Sequence, residues 1–274
     1  MLQDLYPHVY HNEMAWKAPA PDDIALIFAP DRTIYCGLEG SMLTLPRMRD
    51  ITDGEVQYAF SIDETAYYLV SAHPGETDAF RYLPSASLRA MTDGTSPALF
   101  AAAAGESLYR WYDSQKFCGR CGARMEKSTV ERAMVCPSCG KTFYPRIMPA
   151  VIVGVKNGDK LLLTRYRTGF AYNALIAGFT EIGETAEQTV AREVMEEAGI
   201  RVKNIRYYAS QPWGIANDLL LGYYCELDGD STIRMDTQEL KYAQWVRRED
   251  IELQPDDFSL TNDMMRRFKL GIEK

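Results

Sequence analysis

The sequence predicts an α/β fold class for its C-terminal half, preceded by a small cysteine module and a β-rich N-terminal region. Three observations support this: short apolar runs between residues 24 and 90, four cysteines in two tight pairs, and strand patterns that alternate with helical patterns after Pro149. A chain of 274 residues has room for two or three domains. We expect a β-rich domain at 1–112, the cysteine module at 113–144 and the layered domain at 145–274.

The N-terminal pattern indicates strands followed by one helix. Apolar runs at Ile24–Ala29, Tyr58–Ile62 and Ala66–Val70 are bounded by proline, glycine and aspartate, which is typical of short strands. Apolar residues then recur at helical spacing over 98–116, although Gly105 is a poor helix former in the middle of that stretch.

Composition argues against several classes of protein. The formal net charge is −8, whereas a dedicated binder of duplex DNA usually carries a basic surface. No run approaches the ~18 apolar residues that a membrane span needs. The first residues show no cationic segment followed by an apolar run, as a secretory signal would. We therefore expect a cytoplasmic protein without duplex DNA or a membrane as partner.

The cysteines predict a structural zinc site. Four of the six form two C-x2-C pairs separated by fourteen residues, Cys118 with Cys121 and Cys136 with Cys139. Each pair directs two thiolates to one point, and together they complete tetrahedral Zn²⁺ coordination. No coordination position is left open for a substrate, so we expect zinc to stabilise the fold. A redox dithiol and buried free thiols are the alternatives. Cys36 and Cys225 stand alone and are expected in the core.

The layered domain is expected to begin with a hairpin and to end with a helix. The Asn157-Gly158 pair predicts the hairpin turn. The expected strands are Ala150–Val155, Lys160–Thr164, Tyr207–Ser210, Leu219–Leu227 and Ala243–Val246, and the closing helix is Ser259–Lys269.

A helix with clustered carboxylates lies between these strands. Thr185 and Gln188 can form a capping box and Gly199 suits the C-terminal stop, which brackets a helix of about thirteen residues. Its expected apolar face consists of Ala186, Val190, Ala191, Val194, Met195 and Ala198.

Three glutamates share an adjoining arc of this helix. At about 100° per residue, Glu193, Glu196 and Glu197 lie within a ~100° arc. Such carboxylates repel one another unless a cation lies between them, and hard oxygen ligands select Mg²⁺ or Mn²⁺. The alternative is a solvated acidic face. The preceding loop favours a site, because glycines at 178 and 183 let it approach the helix closely.

This segment resembles the Nudix signature G-x5-E-x7-R-E-U-x-E-E-x-G-U at every fixed position. The matching residues are Gly178, Glu184, Arg192, Glu193, Val194, Glu196, Glu197, Gly199 and Ile200. The resemblance implies an α/β/α sandwich with a mixed sheet and hydrolysis of a diphosphate by water. It also implies that Glu193 and Glu197 bind Mg²⁺ or Mn²⁺, that Glu196 assists, and that Arg192 with Glu184 orients the loop.

The order of domains resembles the NAD(H) diphosphatase branch of that family. Phe143-Tyr144-Pro145-Arg146 leads from the cysteine module into the first Nudix strand, as in that branch, and Ser210–Trp213 matches the start of its specificity motif. The branch commonly continues Pro-Phe-Pro, whereas this chain has Gly214-Ile215-Ala216-Asn217. That departure leaves a broader specificity open.

The resemblance also implies a set of contacts to substrate and metal. Phe179 would stack on a base and Tyr144 would contact the substrate. Ala177 would offer its carbonyl, and Glu239 a further carboxylate, to the metal; core or surface roles are the alternatives for Phe179, Trp213 and Glu239. The pocket would be lined by Gln211, Pro212, Trp213, Gly214, Ile215, Ala216, Asn217 and Asp218, with Arg89 and Glu131 as further contacts.

The predicted activity is metal-dependent hydrolysis of NAD(H) to NMN(H) and AMP, with NAD-capped RNA as a further substrate, by a homodimer. The three histidines lie far from this segment, so a carboxylate is expected to activate water. One alternative is a broader diphosphatase acting on ADP-ribose or other dinucleotides. The other is a zinc-ribbon nucleic-acid-binding protein with an inactive Nudix domain.

Overall fold

The computed structural model describes residues 1–91, 96–214 and 216–273, without the side chain of Arg89. The chain falls into two compact units. One consists of Leu2–Ile147 with the short segment Gly214–Asn217, and the other of Met1, Met148–Trp213 and Asp218–Lys274. The cysteine module belongs to the first of these. The division into three domains stays a prediction.

The first unit is built from short strands and one long helix. Its elements are β1 Tyr10–His11, β2 Ile24–Leu26, β3 Thr33–Glu39, β4 Met42–Thr44, β5 Glu55–Ile62, β6 Thr65–Ser71, β7 Arg81–Pro84, α1 Leu88–Met91, α2 Pro97–Ser114, β8 Glu126–Lys127, β9 Met134–Val135 and β10 Thr142–Phe143. They form sheets in the orders β1-β5-β6-β2, β4-β3-β7 and β10-β9-β8. The expected β-rich character is therefore confirmed.

Helix α2 runs through Gly105 without a break, and the packing explains that glycine. The Ser96 side chain caps the first turn by accepting from Leu99 N–H, and proline occupies the first helical position. A Cβ at Gly105 would lie 2.6 Å from Leu26 Cδ1. The glycine thus lowers helix propensity but permits close approach of α2 to β2.

The second unit is a mixed sheet with a helix on each face. Its elements are β11 Met148–Asn157, β12 Lys160–Tyr166, β13 Ile176–Phe179, α3 Ala186–Ala198, β14 Val202–Trp213, β15 Asp218–Leu227, β16 Leu240–Arg247 and α4 Leu260–Lys269. The strand order is β14-β15-β11-β12-β16, with β13 also paired to β11. Strands β11 and β15 are parallel, whereas the other pairs are antiparallel.

Alternation along β11 assigns the two faces. Val151, Val153 and Val155 pack with Val190 and Val194 of α3. On the opposite face, Ala150 and Ile152 pack with residues of α4, namely Leu260, Met264, Met265 and Phe268. Because successive strand residues point to opposite faces, a continuous apolar run supplies both helix interfaces. This confirms the expected α/β/α sandwich.

Two local expectations were wrong. The β11–β12 hairpin pairs Asn157 with Lys160, so its turn residues are Gly158 and Asp159. On α3, Met195 and Ala191 are exposed, because the buried face is a narrower stripe formed by Val190, Val194 and Ala198. Cys36 and Cys225 are fully buried, as expected. No helix in the described residues is long and apolar enough to cross a membrane.

The α4 interface should dominate the stability of the second unit. Phe268 is fully buried against the sheet, so Phe268→Ala should lower the free energy of unfolding by about 3–5 kcal/mol. Ile272, which is 56% exposed just beyond the helix, provides the control, because Ile272→Ala should change that energy by about 0.5 kcal/mol or less. Denaturant unfolding of both variants checks this. Equal losses would place the stabilising contacts elsewhere.

Candidate active site

Helix α3 begins and ends where its sequence directs. The Thr185 side chain accepts from Gln188 N–H and the Gln188 side chain accepts from Thr185 N–H, so the predicted capping box is present. Gly199 closes the helix with φ of 66°, the left-handed conformation that glycine adopts at low cost. The helix is thereby fixed in length, and its glutamates project from a defined face.

The burial of the three glutamates differs sharply. Glu197 is 3% exposed, the side chain of Glu193 is 12% exposed and that of Glu196 is 59% exposed. Glu197 Oε1 accepts a 3.4 Å hydrogen bond from Ala177 N–H, but its Oε2 is buried without a hydrogen-bond partner. A carboxylate in this state is costly unless a cation compensates it.

The pKa values of Glu197 and Glu193 also indicate a site for a cation. Burial, together with the charges of Glu193 and Glu239, raises the pKa of Glu197 to about 8, although the hydrogen bond from the Ala177 N–H opposes the shift. Burial also raises the pKa of Glu193. The carboxyls therefore resist ionising together in the absence of a counterion. Oxygen donors that need positive charge fit a hard divalent cation such as Mg²⁺ or Mn²⁺.

Arg192 donates five hydrogen bonds, three of which join its helix to the preceding loop. Nε and Nη2 donate to the two oxygens of Glu184 at 2.7 and 2.9 Å, and Nη1 donates to Glu193 at 2.8 Å and Glu196 at 2.9 Å. Nη2 also donates to the Phe179 carbonyl at 2.8 Å. One guanidinium thus sets the positions of the loop backbone and of three carboxylates, those of Glu184, Glu193 and Glu196, which is the orienting role expected from the sequence.

Gly178 is required by the closeness of the loop to the helix. A Cβ at this position would lie 1.9 Å from Glu193 Cδ and 2.0 Å from its Oε1. Gly178 lies on β13 opposite Val151, and its neighbour Ala177 lies opposite Ile152. The strand therefore runs directly against the carboxylates, and any side chain at 178 would displace Glu193.

Glu239 lies on a segment that is attached to the same helix. Asp236 N–H donates to the Glu197 carbonyl at 3.0 Å, and Arg167 N–H donates to the Glu239 carbonyl at 3.1 Å. The charge of Glu239 acts on Glu197 and Glu193. The structure thus brings these three carboxylates into one region, although in the described residues only the four cysteines gather their ligand atoms within 4.8 Å.

Tyr166 faces these carboxylates and was missed from the sequence. It ends β12 opposite Leu240, after a register shift between Arg165 and Tyr166. Burial raises its pKa, and the charges of Glu197, Glu239 and Glu193 add to that shift. No motif marks this tyrosine, because only the pairing of β12 with β16 places it there.

Several expected substrate residues are exposed. The Phe179 ring is 51% exposed while Arg192 holds the backbone carbonyl of the same residue. In the other unit, Tyr144 is 56% exposed and its hydroxyl donates to Glu131 Oε1 at 2.9 Å, so these two residues lie together. Ile215 and the Arg89 side chain lie outside the described residues.

The residues at either end of the expected pocket segment Gln211–Asp218 differ in their burial and contacts. Gln211 is fully buried, and its amide donates to Phe258 O and accepts from Leu260 N–H, both at 2.7 Å. It therefore fixes the start of α4 instead of facing an open pocket. Pro212 is exposed, Trp213 packs partly on the α4 core, and Asp218 is buried opposite Trp213.

The loop between β14 and β15 belongs to the first unit. A Cβ at Gly214 would lie 2.5 Å from the Ala103 carbonyl oxygen of α2, so the backbone passes very close to that helix. Asn217 adopts φ of 63° and accepts a 2.7 Å hydrogen bond from Ser107 of α2, and Ala216 lies half-buried between them. The segment that departs from the branch motif is thus attached to α2.

The four cysteines form a separate site in the first unit. Cys118 Sγ lies 3.7 Å from Cys139 Sγ, and Cys121 Sγ lies 3.5 Å from Cys136 Sγ. Gly122 and Gly140 have φ of 75° and 70° and close the two turns by donating to the carbonyls of Cys118 and Cys136. Gly119, in contrast, does not adopt a positive φ. Backbone N–H groups lower the pKa of Cys118 to about 6, which favours the thiolate that binds zinc.

Replacement of one zinc-binding cysteine should release the zinc, whereas replacement of a cysteine outside the module should not. Cys136→Ser should reduce bound zinc well below one ion per chain and lower the melting temperature, because Cys136 also packs with Trp111 and Met134 in the core of the module. Cys225→Ala removes a buried thiol outside the module and should retain one zinc. Metal analysis with thermal unfolding tests this. Full zinc content in Cys136→Ser would contradict the site.

The Glu184–Arg192 pair should contribute stability that depends on pH. Hydrogen bonds from Arg192 lower the pKa of Glu184 from its usual 4.5 to about 2. The contribution is therefore complete above pH 4.5 and is lost as the pH falls through about 2. Glu184→Gln should melt below the wild-type temperature at pH 6, and the gap should close towards pH 2. A gap that does not depend on pH would contradict this assignment.

Comparisons with known proteins agree with this geometry. Residues 146–268 match the family described as the NUDIX domain, and residues 113–144 match the NADH pyrophosphatase zinc ribbon domain. The chain is 46% identical over 173 residues to "NAD-capped RNA hydrolase NudC" of Klebsiella pneumoniae, and 42% identical over 170 residues to the protein of the same name of Salmonella heidelberg. Each alignment covers 62% of this chain and 66% of the relative.

The fold is also found among solved structures. A NUDIX hydrolase from Nitrosomonas europaea is similar with a TM-score of 0.50 and 24% identity, covering 57% of this chain and 90% of that one. At this identity the likeness concerns the fold alone. The chain therefore belongs to the Nudix family, in the group that carries an NADH pyrophosphatase zinc ribbon in front of the Nudix domain.

Proposed function

We propose that this chain hydrolyses the pyrophosphate bond of NAD(H) to NMN(H) and AMP, and that it acts on NAD-capped RNA by the same reaction. The observation that carries the proposal is the buried oxygen of Glu197 without a hydrogen-bond partner, beside Glu193 and the charge of Glu239. Relatives called NAD-capped RNA hydrolase support the choice of substrate.

The residues present fit a divalent cation. Glu193, Glu197 and Glu239 would hold Mg²⁺ or Mn²⁺ together with the Ala177 carbonyl, because all four offer oxygen donors and Oε2 of Glu197 is buried without a hydrogen-bond partner. The ion would neutralise the diphosphate and favour deprotonation of water. No histidine is present in the sequence of the unit that holds these carboxylates, so we assign proton removal from water to a carboxylate.

The other steps of the proposed reaction depend on residues of this chain. Water forms a bond to one phosphorus, the bridging P–O bond breaks, and the other phosphate leaves with its oxygen. Arg192 holds Glu193, Glu196 and the loop in place through the reaction. The exposed ring of Phe179 offers a face on which a base can stack. Contacts of Tyr144 and Glu131 with the substrate stay a prediction from the family resemblance. Fixed geometry should supply much of the acceleration.

A broader diphosphatase is the second candidate. The observation that favours it is the Gly214–Asn217 segment, which departs from the branch motif and is attached to α2 through Ser107 and Asn217. ADP-ribose and other dinucleotides would then compete with NADH. A nucleic-acid-binding role with an inactive Nudix domain is disfavoured, because every signature carboxylate is present. A homodimer, which the family resemblance implies, and a cytoplasmic location are part of the proposal.

Removing the Glu197 charge should abolish most turnover. With NADH and Mg²⁺ or Mn²⁺, Glu197→Gln should form NMNH and AMP about 10²-fold more slowly than wild type, because a neutral amide cannot replace an anionic ligand or base. The matched control is Glu187→Gln, the same change at an exposed position in the first turn of α3. It should stay within about twofold of wild type.

The products, separated by chromatography, distinguish the candidates. Metal-dependent NMNH and AMP with preference over ADP-ribose and diadenosine diphosphate supports the NAD(H) proposal. Cleavage of the latter two with little of NADH would support the broader diphosphatase. Near-normal turnover by folded Glu197→Gln would contradict the mechanism in both cases.

A further inference from the structure

The candidate active site is rich in hydrogen-bond acceptors and poor in donors. The carboxylates of Glu193, Glu197 and Glu239 are acceptors, and so are the oxygens of a diphosphate. Arg192 lies among these groups, but each of its five N–H groups already donates to the loop or to a neighbouring glutamate. A donor for a substrate oxygen must therefore come from another side chain.

Strand β12 directs the side chain of Tyr166 to the face of the sheet that carries α3. Leu161 and Leu163 pack in the cluster with α4, whereas Leu162 packs in the cluster with α3. Because side chains alternate along a strand, Tyr166, four positions beyond Leu162, lies on the α3 side. The register shift at the end of β12 does not change this, since the additional residue, Lys241, belongs to β16.

The same pairing places Tyr166 beside the segment that carries Glu239. Tyr166 is paired with the residue that follows Glu239, and the next residue along, Arg167, donates its N–H to the Glu239 carbonyl at 3.1 Å. The charges of Glu197, Glu239 and Glu193 all act on the phenol. The phenol therefore lies at the carboxylate cluster, on a strand that contributes no other residue to it.

The hydroxyl of Tyr166 is accessible and has no partner. It forms no hydrogen bond within the described residues, and it is not among the polar atoms that are sealed from solvent without a partner. The side chain is half-buried, so the ring is held while its end stays open. A tyrosine hydroxyl is protonated at neutral pH, since its ordinary pKa is about 10. Towards phosphate oxygens it can act only as a donor.

We infer that the Tyr166 hydroxyl donates a hydrogen bond to a non-bridging oxygen of the substrate diphosphate, and that it is a further catalytic residue. This role rests on the proposed function, because it concerns the same substrate and the same bond. As the bridging P–O bond breaks, negative charge builds up on the oxygens of the leaving phosphate. A fixed donor at such an oxygen stabilises the transition state more than the bound substrate. The tyrosine keeps its proton throughout.

Tyr166→Phe removes the donor and leaves the ring in place. With NADH and saturating Mn²⁺, kcat should fall about tenfold or more while KM changes less than about threefold, because the lost hydrogen bond is strongest in the transition state. ADP-ribose contains the same diphosphate without the nicotinamide, so its turnover should fall by the same factor. The matched control is Tyr207→Phe, at a tyrosine of β14 that is 49% exposed, and it should stay within about twofold of wild type.

The dependence of the rate on Mn²⁺ separates a contact with substrate from a structural role. The Mn²⁺ concentration that gives half the maximal rate should be the same in Tyr166→Phe and in wild type. The melting temperatures should also agree, because the variant loses one oxygen that has no partner. A marked rise in the required Mn²⁺ concentration would show that Tyr166 only positions the carboxylates, and it would overturn the contact with substrate.

Two further results would overturn the catalytic role. A raised KM with unchanged kcat would make Tyr166 a binding residue only. An active wild type with an equally active Tyr166→Phe would contradict the role of Tyr166 and leave the proposed function intact. A wild-type protein that hydrolyses neither NADH nor ADP-ribose would instead contradict the proposed function, and the role of Tyr166 with it.

Discussion

The second unit is organised around one unfavourable burial, that of the Glu197 carboxylate. Its helix is held by a capping box and by a left-handed glycine, its carboxylate receives the Ala177 N–H, and the Asp236 segment is hydrogen-bonded to its carbonyl. These contacts hold an acidic group that is 3% exposed and that resists ionising without a counterion. The free energy to do so comes from the apolar packing of both helices on the sheet. A site of this kind gains stability only when a cation arrives.

Arg192 reduces a second unfavourable interaction of the site, the electrostatic repulsion between neighbouring carboxylates. It donates two hydrogen bonds to Glu184 and one each to Glu193 and Glu196. Glu197 has no such partner. The arrangement leaves charge uncompensated at the buried end of the cluster. The four clustered cysteines, by contrast, lie in the other unit, so the two donor sets differ in softness and select different metals.

Much of this could be predicted because it is local in sequence. Thr185, Gln188 and Gly199 fix the helix within a few residues of themselves, and the two C-x2-C turns place their thiolates in the same way. What the sequence could not predict depends on pairing between distant strands. Tyr166 reaches the carboxylates only because β12 pairs with β16, and β13 was overlooked because it has four residues. Gln211 matched a substrate motif, yet its amide bonds to the start of α4.

The loop Gly214–Asn217 has a consequence for how the chain can be divided. It is covalently part of the β14–β15 hairpin, yet it packs with Ala103 and Ser107 of α2. A fragment that starts at Met148 would expose this loop, because it lacks Ala103 and also Ser107, the hydrogen-bond donor to Asn217. Deletion of the N-terminal residues would therefore also perturb the Gly214–Asn217 loop. Truncation of the chain therefore cannot separate the roles of the two units. Point substitutions on α2 test the contribution of the first unit without removing it.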